Sequence, residues 1–143
     1  MELTPAQLKR LVELAYIGEW TVNSRHSIDF QDDEATAALQ SVLGLSSTLV
    51  DDIERDVETG NYYLDPEWVD KIQDRFIADY EDHVFWDELI ERLAQRDLAK
   101  QRGVSMEEID RDEDVGELRP LENRYRDELE TSGLDRLGII DEY

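Results

Sequence analysis

Apolar residues recur along this chain at the three-to-four residue spacing of helix faces, almost from end to end. From Leu8 the positions Leu8, Leu11, Val12 and Ala15 follow an i, i+3, i+4, i+7 repeat, and Leu14, Ile17 and Trp20 widen the stripe enough for more than one neighbour. Thr4 stands where an N-cap belongs, Pro5 at the favoured first helical position and Gln7 where a capping box is completed, so a first helix is predicted to run to about Arg25. Gly18 inside it costs about 1 kcal/mol relative to alanine and leaves room for a close helix approach.

Asp32 or Asp33 can cap a second helix running through Val42, with Gly44 as its stop. Ser46 or Ser47 is expected to cap a third, whose buried face would be Leu49, Val50, Ile53 and Val57 and which Gly60 would close. Asp65, Pro66 and Glu67 then combine a cap, a rigid first residue and an acid at the positive end of the helix dipole. Two stripes follow, Trp68 to Tyr80 and Trp86 to Leu98, and the acids at 79–82 between them predict two helices rather than one. Gly103 ends the second stripe, Ser105 and Glu108 form another capping box, and residues 110–117 read as a polar loop. Pro120 is expected to begin a last helix with Leu121, Tyr125 and Leu129 on one face and Gly133 as stop. The apolar tail Leu134, Leu137, Ile139 and Ile140 would dock on the bundle or on another chain, a route to a homodimer. No period-two stretch is long enough to predict a strand. The expectation is an all-α fold: a single helical domain over residues 1–143, a bundle of five to seven helices with the first helix and residues 83–102 as its spine.

Charge changes this picture most. The 143 residues hold 37 acids and 15 bases, a net of −22. Residues 1–26 carry three acids and three bases and residues 83–102 four of each, whereas residues 27–82 carry sixteen acids against three bases and residues 103–143 fourteen against five. Such a field repels polyanions and attracts a basic partner, so direct nucleic-acid binding is disfavoured. A salt-adapted proteome would also produce high acid with only three lysines, but it would spread acid over every exposed face. The chain has no cysteine, which removes disulfides, thiolate nucleophiles and cysteine-ligated metals. No apolar run approaches the roughly 18 residues of a membrane span, and the start of the chain reads as a helix rather than a signal peptide, so no membrane partner and a cytoplasmic location are expected.

Candidate chemistry is sparse. Asp110, Asp112 and Asp114 match the first three ligand positions of a calcium loop, but the required glycine and glutamate both fall one residue late, at Gly116 and Glu122. The bland alternative is a solvated acidic turn. The residues three before His26 and His83 are Asn23 and Tyr80, so neither histidine forms the Glu-x-x-His pair of a carboxylate-bridged di-metal site. His83 is expected to be a packing or half-buried residue. No nucleophile elbow, phosphate loop or dinucleotide fingerprint occurs, and no cofactor is expected. Glu67, Asp70 and Asp74 lie three and four residues apart on one helical face, as in proteins that imitate the phosphates of DNA, with Lys71 and Arg75 beside them to weaken the imitation. Asp51, Asp52, Asp56 and Glu58 add negative charge to the same half of the chain. Of the adjacent pair Tyr62 and Tyr63, only one can easily point inward, which leaves the other as a contact residue.

The segments Leu14 to Trp20 and Phe85 to Leu93 resemble stretches of small acidic bacterial proteins with no assigned activity. The likeness rests on helical core residues and implies a shared scaffold, with no activity to carry over. The sequence therefore favours a non-catalytic interaction or regulatory protein with an acidic surface for a basic protein, in the manner of a DNA-mimicking inhibitor. Asp51, Asp52, Asp56, Glu67, Asp70, Asp74, Tyr62 and Tyr63 are its candidate contacts. The alternative is a divalent-cation-binding protein or metal-dependent enzyme using Asp110, Asp112 and Asp114.

Overall fold

Thr4 opens the first helix through a reciprocal cap in which its hydroxyl accepts from the Gln7 amide and its own amide donates to the Gln7 side chain at 2.9 Å. The computed structural model describes residues 3–138, and the chain gathers into two compact units, one through Tyr80 and one from Glu81.

In the first unit, α1 (Pro5–Asn23) packs against α2 (Asp33–Ser46). Asp32 caps α2 by accepting from the Ala35 amide at 2.9 Å. Gly44 does not stop this helix, which runs on to Ser46. It lies inside α2, where the Tyr62 ring comes to 3.0 Å of where a β-carbon would stand, so the missing side chain admits the ring rather than ending the helix. The expected third helix is instead a two-stranded antiparallel hairpin, β1 (Ile53–Arg55) and β2 (Tyr62–Leu64), in the register Ile53 to Leu64, Glu54 to Tyr63 and Arg55 to Tyr62. The physical reason lies in the turn. The Asp56 carboxylate accepts the amides of Glu58 and Thr59 at 2.7 and 3.0 Å, and Gly60 takes a left-handed backbone with φ +76°. Val50 and Ile53 are buried as the apolar pattern required, but Leu49 and Val57 are 70% and 97% exposed, on the approach and in the turn.

Asp65 caps α3 (Pro66–Ile72), a π turn follows over Gln73–Ile77, and α4 runs over Ala78–Arg102. Residues 66–102 are one helical run, so the chain forms four multi-turn helical runs among the described residues, fewer than the five to seven expected. The acids at 79–82 do not break it because all three, Asp79, Glu81 and Asp82, are exposed. The wider π turn changes the apolar phase instead, and Ile72 and Ile77, five apart, both reach the core. That core holds Val12, Leu43, Val50, Ile72 and Ile77, each essentially inaccessible, with Trp68 at its edge. Burying each aliphatic side chain contributes roughly 1.5–3 kcal/mol before the entropy of ordering is counted.

The second unit has its own smaller core of Ala94, Leu98, Ala99, Ile109 and Leu118, with Leu121 packed against it. Gly103 at φ +68° ends α4, and the Ser105 and Glu108 capping box closes a single turn over Met106–Glu108. Helix α5 spans Val115–Ser132, so Pro120 lies within it rather than at its start; burial of Leu118 in this core fixes the first turn despite the missing proline hydrogen bond. Gly133 stops it as expected. The segments expected to form one spine, residues 5–25 and 83–102, belong to different units. Of the apolar tail, Leu134 and Leu137 are half-exposed, and Ile139 and Ile140 lie outside the described residues.

The all-α expectation holds at the level of class, with the hairpin as the exception among the described residues.

Candidate functional site

Three of the candidate contacts, Asp52, Glu67 and Asp74, come together around a cleft of about 570 Å³ in the first unit, with Trp68 and Phe76 in its wall and Lys9 beside them. The elements that build it are the outer face of α1, the start of the hairpin, and α3 with its π turn. Lys9 reaches across from α1 to place its ammonium 2.6 Å from Asp52 and 5.4 Å from the centre of the Trp68 ring. The Trp68 indole N–H donates to Glu13 at 3.1 Å, and Glu13 is itself paired with Arg10 at 2.6 Å. On the other side, Arg10 and Arg75 stand 5.3 and 5.1 Å from the Phe76 ring. Aromatic rings and carboxylates thus share one concavity, and its own lysine and arginines already sit on them.

The remaining candidate residues divide by what they touch. Glu67 is 3.5 Å from Lys71 one turn on, an exposed pair of small energetic consequence. Asp56 is committed to the hairpin turn, and the backbone amides of Thr59 and then Glu58 hold its carboxyl below the usual range. Asp51, Asp70 and Asp74 are exposed and have no ion-pair partner among the described residues. Tyr62 faces inward: its ring meets Gly44, Arg55 lies 5.8 Å above it, and its backbone is clamped by Gln40, which accepts from the Tyr62 amide at 2.7 Å and donates to its carbonyl at 3.0 Å. Tyr63, on the opposite face beside Glu54, is 49% exposed. The alternation of a strand separates the two tyrosines.

In the second unit, two of the three aspartates of the calcium-like loop, Asp110 and Asp114, are bonded within the loop and its flanking helix. Asp110 accepts the amides of Asp112 and Glu113 at 2.9 and 3.1 Å, while Asp114 accepts from Arg102 at 2.8 Å and from the Asp110 amide at 3.0 Å. The Arg102 guanidinium holds the Asp114 carboxyl below its ordinary value. Asp112 is exposed, and among the described residues no three acid or histidine side chains converge as a metal cluster. His83 is neither packed nor half-buried; its side chain is exposed and lies 3.3 Å from Asp87.

Sequence reasoning did not find Lys9, Glu13 or the indole of Trp68 as partners. Their sequence signal was faint: Lys9 and Glu13 are one turn apart on α1, but Asp52 and Trp68 lie 43 and 55 residues further along, respectively, from the groups they meet. A second feature it missed is Asn23, buried at the end of α1 and bonded to Glu19, Asp32 and Thr36.

The first unit holds seventeen acids against six bases and the second twenty against nine, so each carries −11. No known protein family matches this chain, and comparison with curated proteins and with solved structures likewise gives no match.

Proposed function

We propose that this chain is a non-catalytic interaction protein whose acidic surface binds a basic protein partner. The observation that carries the reading is the imbalance left after internal pairing in the first unit. Lys9, Arg10 and Lys71 are each held by a carboxylate of the same unit, while Asp51, Asp70 and Asp74 are exposed with no ion-pair partner among the described residues. A cationic surface approaching them meets carboxylates that no internal ion pair engages among the described residues. Tyr63, paired across the hairpin with Glu54, supplies the flat amphipathic ring that contact surfaces favour. Pairing of Glu67 with Lys71 shortens the acidic row of α3 and favours a basic protein in general over strict imitation of a phosphate repeat.

Attraction of this kind is screened over a Debye length of about 8 Å at physiological ionic strength, so association should be fast and salt-sensitive. The test is capture of partners at low and high salt by the wild-type chain and by the triple variant Asp51→Asn, Asp70→Asn, Asp74→Asn. The reading expects basic partners that are lost at high salt and that associate several-fold more slowly with the variant. Partners no more basic than background, or a yield indifferent to salt, would count against it.

A further inference from the structure

We propose that Lys9 is an internal stand-in for a partner's cation, and that the Asp52 carboxylate and the Trp68 indole face form the seat for an arginine side chain of the basic partner. The inference rests on the acidic-surface reading above and names the place where it becomes specific.

The cleft's chemistry selects the occupant. Five carboxylates line it against three cations, so an anionic ligand is disfavoured and a cationic one is drawn in. Its aromatic face is already used in the way a cation would use it, since Lys9 sits both on Asp52 at 2.6 Å and over Trp68 at 5.4 Å. Trp68 is pre-positioned: it lines the cleft while the residue as a whole is only 9% exposed, and its N–H is fixed on Glu13. A ring held in place before binding loses little freedom on binding.

Lys9 itself is held loosely. Its side chain and that of Asp52 are both about half exposed, the regime in which an ion pair contributes little. A guanidinium can do what an ammonium cannot, meeting the Asp52 carboxylate with two parallel N–H donors while its plane lies on the indole. Arginine from a partner should therefore displace Lys9, which swings into solvent. In the unbound chain Lys9 masks the seat and suppresses weak, unspecific capture of cations.

The experiment uses the full chain, N-acetylarginine amide, an arginine-rich peptide, and uncharged N-acetylcitrulline amide as control. The indole N–H resonance of Trp68 should move on adding the arginine probes and not the citrulline one. Lys9→Gln should bind the peptide about fivefold more tightly, because the internal competitor holds its place by one exposed ion pair and one cation–π contact. Arg25→Gln removes the same charge outside the cleft and should change affinity far less. Asp52→Asn, whose side chain bonds only Lys9, keeps the fold and should weaken binding. If the peptide binds with salt dependence but the Trp68 signal stays still, or if Lys9→Gln matches Arg25→Gln, the seat is wrong and the acidic-surface reading survives. If neither the wild-type chain nor Lys9→Gln binds the peptide at low salt, both fall.

Discussion

Replacing Asn23 by alanine tests whether the junction between α1 and α2 is held by its one buried amide. Asn23 is 4% exposed; its carbonyl oxygen accepts the Asp32 amide at 2.7 Å, and its amino group donates to Glu19 at 2.8 Å and Thr36 at 3.2 Å. A neutral hydrogen bond contributes about 1 kcal/mol net and one to a charged acceptor about 1.5–3, less what the released partners recover from water, so a loss of about 2–3 kcal/mol is expected. Asp32 and Glu19 lie toward the surface and recover part of theirs, and Thr36 keeps its bond to Glu19 at 3.1 Å. With a urea slope of about 2 kcal/mol per molar, the midpoint of the first unit should fall by roughly 1 M. Urea unfolding followed by tryptophan fluorescence reads this, and hydrogen exchange should show the Asp32 amide losing protection. Asn23→Asp should do more damage at neutral pH, because it sets a second carboxylate against Glu19, and should recover as the pair gains a proton. A loss below about 0.5 kcal/mol with unchanged Asp32 protection would refute the reasoning, since satisfied buried bonds cannot be removed so cheaply.

Gly18 and Gly44 are both helical glycines, but only Gly44 faces a ring where a β-carbon would stand. Gly18→Ala should therefore raise the melting temperature, with a gain of about 1 kcal/mol, whereas Gly44→Ala should gain nothing because Tyr62 must give way. Gly103→Ala should cost about 1 kcal/mol, since its φ of +68° is strained for any side chain, and chemical denaturation of the second unit would register it. Asp56, Asp97, Glu108 and Asp114 are all held below their ordinary carboxyl values. Asp56 and Glu108 owe this first to backbone amides and Asp114 to Arg102, while at Asp97 burial pushes upward and is outweighed by Tyr125 and Arg96. A lowered folded value means stability that is present above the unfolded carboxyl range near pH 4 and is lost as pH falls through the folded values. Carbon-detected titration of these four carboxyls against the unfolded chain checks the sign; any of them titrating above its unfolded value would contradict it.

The sequence by itself determined much of the helix punctuation, though not the stop expected at Gly44 or the start expected at Pro120. The caps at Thr4, Asp32, Asp65 and Ser105 and the stops at Gly103 and Gly133 are local chemistry, settled within three or four residues, and each forms as its residues dictate. The lack of cysteine and the charge excess were equally plain. What failed were judgements that turned on distant neighbours, the third helix and the break at 79–82 above all. Residues 49–57 carry a helical spacing, but strands of three residues are too short to show alternation, and the turn chemistry of Asp56 with Gly60 and the clamp from Gln40 onto Tyr62 chose a hairpin. The acids at 79–82 looked like a break because their pattern does not reveal that they simply face outward, nor that a π turn upstream resets the apolar phase. The candidate site was legible only as a list of acids. Tertiary structure decided which of them are committed internally, which remain exposed, and that Asp52 meets Lys9 and Trp68, because only folding brings together groups so far apart in the chain.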